Sequence, residues 1–190
     1  MSEFILKTII PWLWMAWLAY WIVAARNVKA TRWNESFPAR LLHLVPFFLA
    51  VVLLDIPQLL PSVAAHRVLP ASVFITSLGA VIVATGLGFS AWARRHLGRN
   101  WSGMVTLKKD HSLIRTGPYK YIRHPIYTGI LCGFLGTALA IGEWRGILAV
   151  VLVLVAFVRK LQVEEARMRE IFPEYEQYRQ GTAALIPFVY

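Results

Sequence analysis

Runs of apolar residues long enough to cross a bilayer, broken only by short polar or basic stretches, limit what this chain can fold into more than any single motif does. Residues 5–25 are apolar except for Lys7 and Pro11, and a helical span needs roughly 20 such residues. The four tryptophans of this run, Trp12, Trp14, Trp17 and Trp21, and the lack of a basic start or a small-residue cleavage site before Arg26, make it a span rather than a cleaved leader. Residues 41–60 form a second run containing Pro46, Asp55 and Pro57. The prolines predict a kinked helix with Asp55 near its end. The third run, residues 68–92, carries Gly79, Gly86 and Gly88 as small packing positions. Residues 126–142 and 146–161 are two further runs separated only by Glu143, Trp144 and Arg145, which predicts a tight helical hairpin. Its first arm is short, about 26 Å at 1.5 Å per residue. The fold class predicted is all-α: an integral membrane protein with five transmembrane helices.

The charge pattern supplies an orientation. The chain has 20 Lys and Arg against 10 Asp and Glu among its 190 residues. In a soluble domain that balance would point to nucleic acid. Here the cations lie between spans, where anionic lipid headgroups and membrane topology account for them, and no nucleic-acid partner is expected. In the five-span scheme 17 of the 20 fall on one side, leaving Lys7, Arg67 and Arg145 on the other. The positive side is expected to be cytoplasmic, which puts the N-terminus outside and both the long connector and the C-terminal tail inside. The lone cysteine, Cys132, lies in an apolar run, and no Cys/His spacing suggests a metal site.

Residues 94–129 form that connector, strongly basic and ending in Arg123-His124-Pro125-Ile126-Tyr127-Thr128-Gly129. A connector this long between spans is a candidate for function. Pro125 holds His124 extended and suits a first helical turn, so the fourth span should start there. Its free amides would face the connector and attract a carboxylate. Arg123 could equally be an interfacial anchor and Tyr127 a belt aromatic. After the fifth run come two adjacent acids, Glu164 and Glu165. Their ordinary reading is a solvated helix face with Glu165 paired to Arg169; the functional one is recognition of a cationic or hydroxyl-rich ligand. Residues 162–180 alternate charges with Val163, Met168, Ile171, Phe172, Tyr175 and Tyr178, which predicts an amphipathic helix at the membrane surface, broken near Pro173 and ending at Gly181.

Taken together, the segment LGRNWSGMVTLKKDHSLIRTGPYKYIRHPIYTG, then Arg159 with Glu164-Glu165, then Tyr175, Tyr178 and Ile186-Pro187, resembles the integral-membrane methyltransferases of the isoprenylcysteine carboxyl methyltransferase and phospholipid methyltransferase superfamily. The resemblance covers about half of the chain, from Leu97 onward. It implies a cofactor, S-adenosylmethionine, held by the connector, the last two spans and the tail. It divides the chain into residues 1–92, three N-terminal transmembrane helices, and residues 93–190, a cofactor-binding catalytic half, within one structural unit. By that resemblance the cofactor contacts are His111, Leu113, Gly117, Tyr119, His124, Tyr127, Glu164 and Glu165, with Arg159 and Arg123 as the catalytic pair. Arg159 matches an arginine that lies beside the reacting carboxylate in prenylcysteine enzymes. Two positions depart from the pattern: Val163 stands where those enzymes have a glutamate, and Ile171-Phe172-Pro173 replaces the usual Phe-Gly.

The activity so implied is methyl transfer to a lipophilic acceptor, most readily the carboxylate of an isoprenylated cysteine, with membrane lipids as surroundings. A carboxylate is ionised at neutral pH and needs no base. A phospholipid amine or a small thiol keeps the cofactor but changes the chemistry, since an amine would need a base such as His124 or Glu165. More distant readings are a sterol-type reductase using NADPH and a non-enzymatic lipid-binding protein.

Overall fold

A computed structural model describes residues 1–26, 31–34, 36–56, 62–101, 106–108 and 113–186. It is built of helices: α1 (Ser2–Ala25), α2 (Phe37–Asp55), α3 (Val73–Leu97), α4 (Pro125–Ile141), α5 (Trp144–Ile171) and the short α6 (Tyr175–Gln180). The first turns of α1, Ile5–Ile9, are wound as a π-helix. By length and composition α1, α2, α3 and α5 can each cross a membrane, while α4 is a shorter apolar helix of 17 residues.

Pro46 lies within α2, and Asp55 is exposed at the end of that helix as expected. Other expectations change. The third helix runs on to Leu97, so Arg94 and Arg95 belong to its last turn and not to the connector. Arg94 is 3% exposed. Its guanidinium donates to the carbonyls of Gly98 and Ala24, each at 2.6 Å, and lies 4.5 Å from the centre of the Trp101 ring. It ties α1 to α3 instead of marking a surface. A short antiparallel ribbon, β1 (Thr31–Asn34) with β2 (Thr106–Lys108), departs from the all-helical expectation and joins the first connector to the long one. The largest correction concerns the tail. The last span does not stop at Leu161 to be followed by a separate surface helix; α5 continues unbroken through Glu164 and Glu165 to Ile171. The break comes at Phe172 and Pro173, and Gly181 caps α6 as expected.

Close packing of α3 on α4 forms the centre. A Cβ added to Gly79 would lie 2.5 Å from the Gly136 carbonyl oxygen, and one added to Gly86 would lie 2.7 Å from that of Gly129. Only backbone fits between the helices at these crossings, as expected where lipid gives no hydrophobic drive and association depends on close contact. Two tryptophans of α1 fasten it to this pair: Trp14 Nε1 donates to Thr137 Oγ1 at 3.1 Å and Trp17 Nε1 to Ser90 Oγ at 2.6 Å. Gly142, at φ +67°, ends α4, and its carbonyl accepts the amide of Val68 at 2.8 Å. The hairpin residue Arg145 is buried. It binds Glu143 Oε2 at 2.6 Å and donates to the carbonyls of Leu53 (3.0 Å) and Leu54 (2.5 Å), satisfying the C-terminal end of α2.

Candidate active site

Where α4 begins, α5 passes close by, and the two polar features read from the sequence meet. Pro125 takes the first helical position and starts α4 as expected, but the cap residue His124, at φ −122° and ψ 57°, is not extended. Glu164 and Glu165 are neighbours on α5, about 100° apart around the axis, so they approach this start from two sides. Tyr127, one turn in, donates its hydroxyl to Glu164 Oε1 at 2.5 Å. Arg123 Nε donates to Glu165 Oε1 at 2.7 Å. His124 bridges the two acids, with Nδ1 3.5 Å from Glu164 Oε2 and Nε2 3.2 Å from Glu165 Oε1. The pairing foreseen between Glu165 and Arg169 is the minor one, at 3.8 Å and on an exposed guanidinium.

Electrostatics follows from this arrangement. Burial is the largest single influence on His124 and favours the neutral ring, but hydrogen bonds and charge from Glu164 and Glu165 together outweigh it, so its pKa is raised above the ordinary histidine value. Arg123 and Glu165 are both enclosed, with side chains 7% and 6% exposed, whereas Glu164 is 21% exposed. Glu164 is therefore the acid a ligand can reach, and Glu165 the one that holds Arg123 and His124.

The tail closes over the same place. Arg123 Nη1 also donates to the carbonyls of Arg179 and Thr182. The amide of Arg123 donates to the Ala183 carbonyl at 2.8 Å and that of His124 to Ala184 at 3.1 Å, while the Ala183 amide returns to Tyr121 at 3.1 Å. Thr128 Oγ1 adds a bond to the Leu185 carbonyl at 2.6 Å. The amides of Arg123 and of the cap residue His124, just before the first turn of α4, are thus occupied by the chain's own tail.

The remaining predicted residues lie around the cluster. Tyr119 is buried, and its carbonyl accepts the Tyr178 hydroxyl at 2.6 Å. Burial pushes Tyr178 up to about 12, so that hydroxyl stays a donor at any ordinary pH. Gly117, at φ +59°, opens the turn Gly117–Lys120, and a Cβ there would run into the His96 ring. Leu113 is half-buried on the approach to that turn. His111 lies outside the described residues. Arg159 is exposed on α5 and touches none of Arg123, His124 or Tyr127 through a hydrogen bond or ion pair. The adjacent Lys160, which the sequence reading did not assign to the site, has its Nζ 5.3 Å from the centre of the Tyr127 ring. Tyr127 is itself stacked between His124 (5.5 Å, 4° between planes) and Phe157 (4.8 Å, 21°). Behind Tyr127 a cavity of about 200 Å³ opens between α1, α2, α4 and α5.

Residues 74–175, more than half of the chain, match the family described as phospholipid methyltransferase. The chain belongs to that family. The protein-S-isoprenylcysteine O-methyltransferase of Schizosaccharomyces pombe is 37% identical over 123 residues, 62% of this chain and 51% of that one. Its Saccharomyces cerevisiae counterpart is 33% identical over 118 residues, covering 60% and 49%. The chain spans about half the length of these curated relatives. A solved structure of the eukaryotic intramembrane Ras methyltransferase ICMT shares the fold, with a TM-score of 0.57 at 22% identity over 82% of this chain and 54% of that one. Membership in the phospholipid methyltransferase family, together with the apolar helices, makes this a multipass integral membrane protein.

Proposed function

We propose that the chain is an S-adenosylmethionine-dependent methyltransferase acting on a lipophilic acceptor, the carboxylate of an isoprenylated cysteine or a close analogue. The observation that carries this reading is the joining of His124 and Tyr127 at the head of α4 to the acid pair on α5, four ligand-type side chains from segments some 40 residues apart in sequence. Their chemistry suits the cofactor: one partly exposed carboxylate for an ammonium or ribose hydroxyls, next to a phenol and an imidazole. Glu164 and Tyr127 would hold it directly, with Leu113, Gly117 and Tyr119 shaping the connector side. When bound, the cofactor supplies an electrophilic methyl on sulfur.

The acceptor carboxylate forms an O–C bond as the methyl's C–S bond breaks, leaving its electron pair on sulfur. Both products, ester and thioether, are neutral, and no proton moves. This chain's part is then alignment and exclusion of water. Arg123 is a positioning residue, fixing Glu165, His124 and the tail. Arg159 is the candidate to orient the acceptor. An amine acceptor is less well served, because His124 sits between two carboxylates that favour its protonated form over the neutral form a base needs. In this reading α4 is a fifth crossing, residues 93–190 form the catalytic half, and the connector and tail face the cytoplasm with the N-terminus outside.

Calorimetric titration with S-adenosylhomocysteine tests it. Binding should weaken by about tenfold or more in Glu164→Gln, an amount typical of losing a charge-assisted contact. No binding to the unmodified protein, with NADPH binding instead, would overturn the proposal.

A further inference from the structure

The cavity behind Tyr127 is the feature the cofactor cluster does not use. Its walls are mostly apolar: Phe47 of α2, Ile130 of α4, and Ala156 and Phe157 of α5, with Trp21 and Trp101 closing it. Two polar side chains, His43 of α2 and Lys160 of α5, also line it. His43 is 5% exposed, in the first half of a span where a polar residue is rare without a task. The charges that act on His43 are mostly positive: Lys160, Arg159 and Arg40, against one carboxylate, Glu164. In a low-dielectric enclosure such a set favours an anion and repels an ammonium group.

Size and opening narrow the occupant further. At about 200 Å³ the cavity is smaller than the roughly 300–1,000 Å³ that encloses a drug-sized ligand. It can take the charged head of an amphiphile and the beginning of its chain. The rest has an exit: Leu44 lines the cavity and is also 37% exposed, and Phe48 beside it is 60% exposed, on the outer face of a membrane-crossing helix. Tyr127 forms the wall shared with Glu164, so an anion held here lies next to the cofactor cluster.

We propose that this cavity is the acceptor's seat, that His43 and Lys160 hold the acceptor's carboxylate there, and that α2 thereby selects anionic apolar acceptors over amines. The inference rests on the methyltransferase reading and adds the residues that choose the substrate. The part that α1 and α2 contribute lies outside the family match: residues 74–175 leave out Trp21, His43, Leu44 and Phe47. The seat also accounts for release, because methylation turns the carboxylate into a neutral ester and removes the attraction that held it.

The test uses the full chain in nanodiscs of neutral lipid, saturated with S-adenosylhomocysteine. It is titrated with three geranyl thioethers: N-acetylcysteine with a free carboxylate, its methyl ester, and the matching cysteamine. The acid should bind about tenfold or more tighter than either of the others. His43→Phe and Lys160→Gln should each weaken the acid about fivefold, well beyond any change in ester or S-adenosylhomocysteine affinity, and Lys160→Arg should restore it. Equal affinity for acid and ester, preference for the amine, or loss of S-adenosylhomocysteine affinity in step with acid affinity would each overturn the proposal. Failure of the unmodified protein to bind S-adenosylhomocysteine would instead overturn the methyltransferase reading beneath it.

Discussion

Helix α4 is held in two unlike ways along its length. Towards α3 it presents glycines, and Gly129 and Gly136 meet Gly86 and Gly79 backbone to backbone. At its start, towards the C-terminal part of α5, Arg123, His124 and Tyr127 meet Glu164 and Glu165 through charge and hydrogen bonds. The first contact is pure shape, with nothing to titrate and nothing for a ligand to bind. The second is short of tolerance, since each buried charge relies on another to stay where it is. A rigid seam on one side lets the other carry a polar cluster without the helix shifting.

Breaking the polar side should have the larger effect on the folded state. Arg123→Ala leaves Glu165 buried without its nearest cation and frees the tail carbonyls, and is expected to cost about 3–5 kcal/mol. Thermal unfolding in detergent checks this, and adding Glu165→Gln to the same protein should recover a large part of the loss. Full destabilisation persisting in the double variant would mean that the tail contacts, not the ion pair, carry the energy. On the seam side, Gly136→Ala forces a methyl into the Gly79 carbonyl and should lower stability by about 1–3 kcal/mol, an overpacking effect. Gly88→Ala is its control. Nothing lies within 4 Å of a Cβ at Gly88, so the same substitution there should be neutral or slightly stabilising.

The smallest effect separates the two sides by pH. His124 has a pKa raised in the folded protein by its two carboxylates, so its contribution is full below the unfolded value of about 6.5 and is lost as pH rises through the folded value. The Tm difference between the unmodified protein and His124→Gln should therefore be widest near pH 6 and shrink towards pH 9. The difference caused by Gly136→Ala should not change over that range. A His124 effect that grows with pH would reverse the sign argued here.

Much of this could be read in advance, for reasons that differ by residue. The spans follow from hydropathy, and the start of α4 from Pro125, whose ring suits a first helical turn whatever lies nearby. The acid pair stood out because Glu164 and Glu165 end an otherwise apolar run. Arg94 and Arg145 were misjudged as boundary charges, because composition cannot tell a cation facing headgroups from one bound to the carbonyl ends of helices. Lys160 went unassigned beside Arg159, since which of two adjacent cations faces Tyr127 depends on how α5 is rotated. His43 gave no signal at all within its apolar run.

From the order of residues alone came the helices, their approximate starts and a candidate site made from the connector and the last span, because hydropathy, proline and charge act locally along the chain. Only the tertiary structure decided that α5 runs on past the membrane length, that the tail occupies amides at the head of α4, and that α2 brings a histidine to the cavity. Those outcomes depend on the rotation and depth of each helix against its neighbours, which is settled by contacts between residues far apart in sequence.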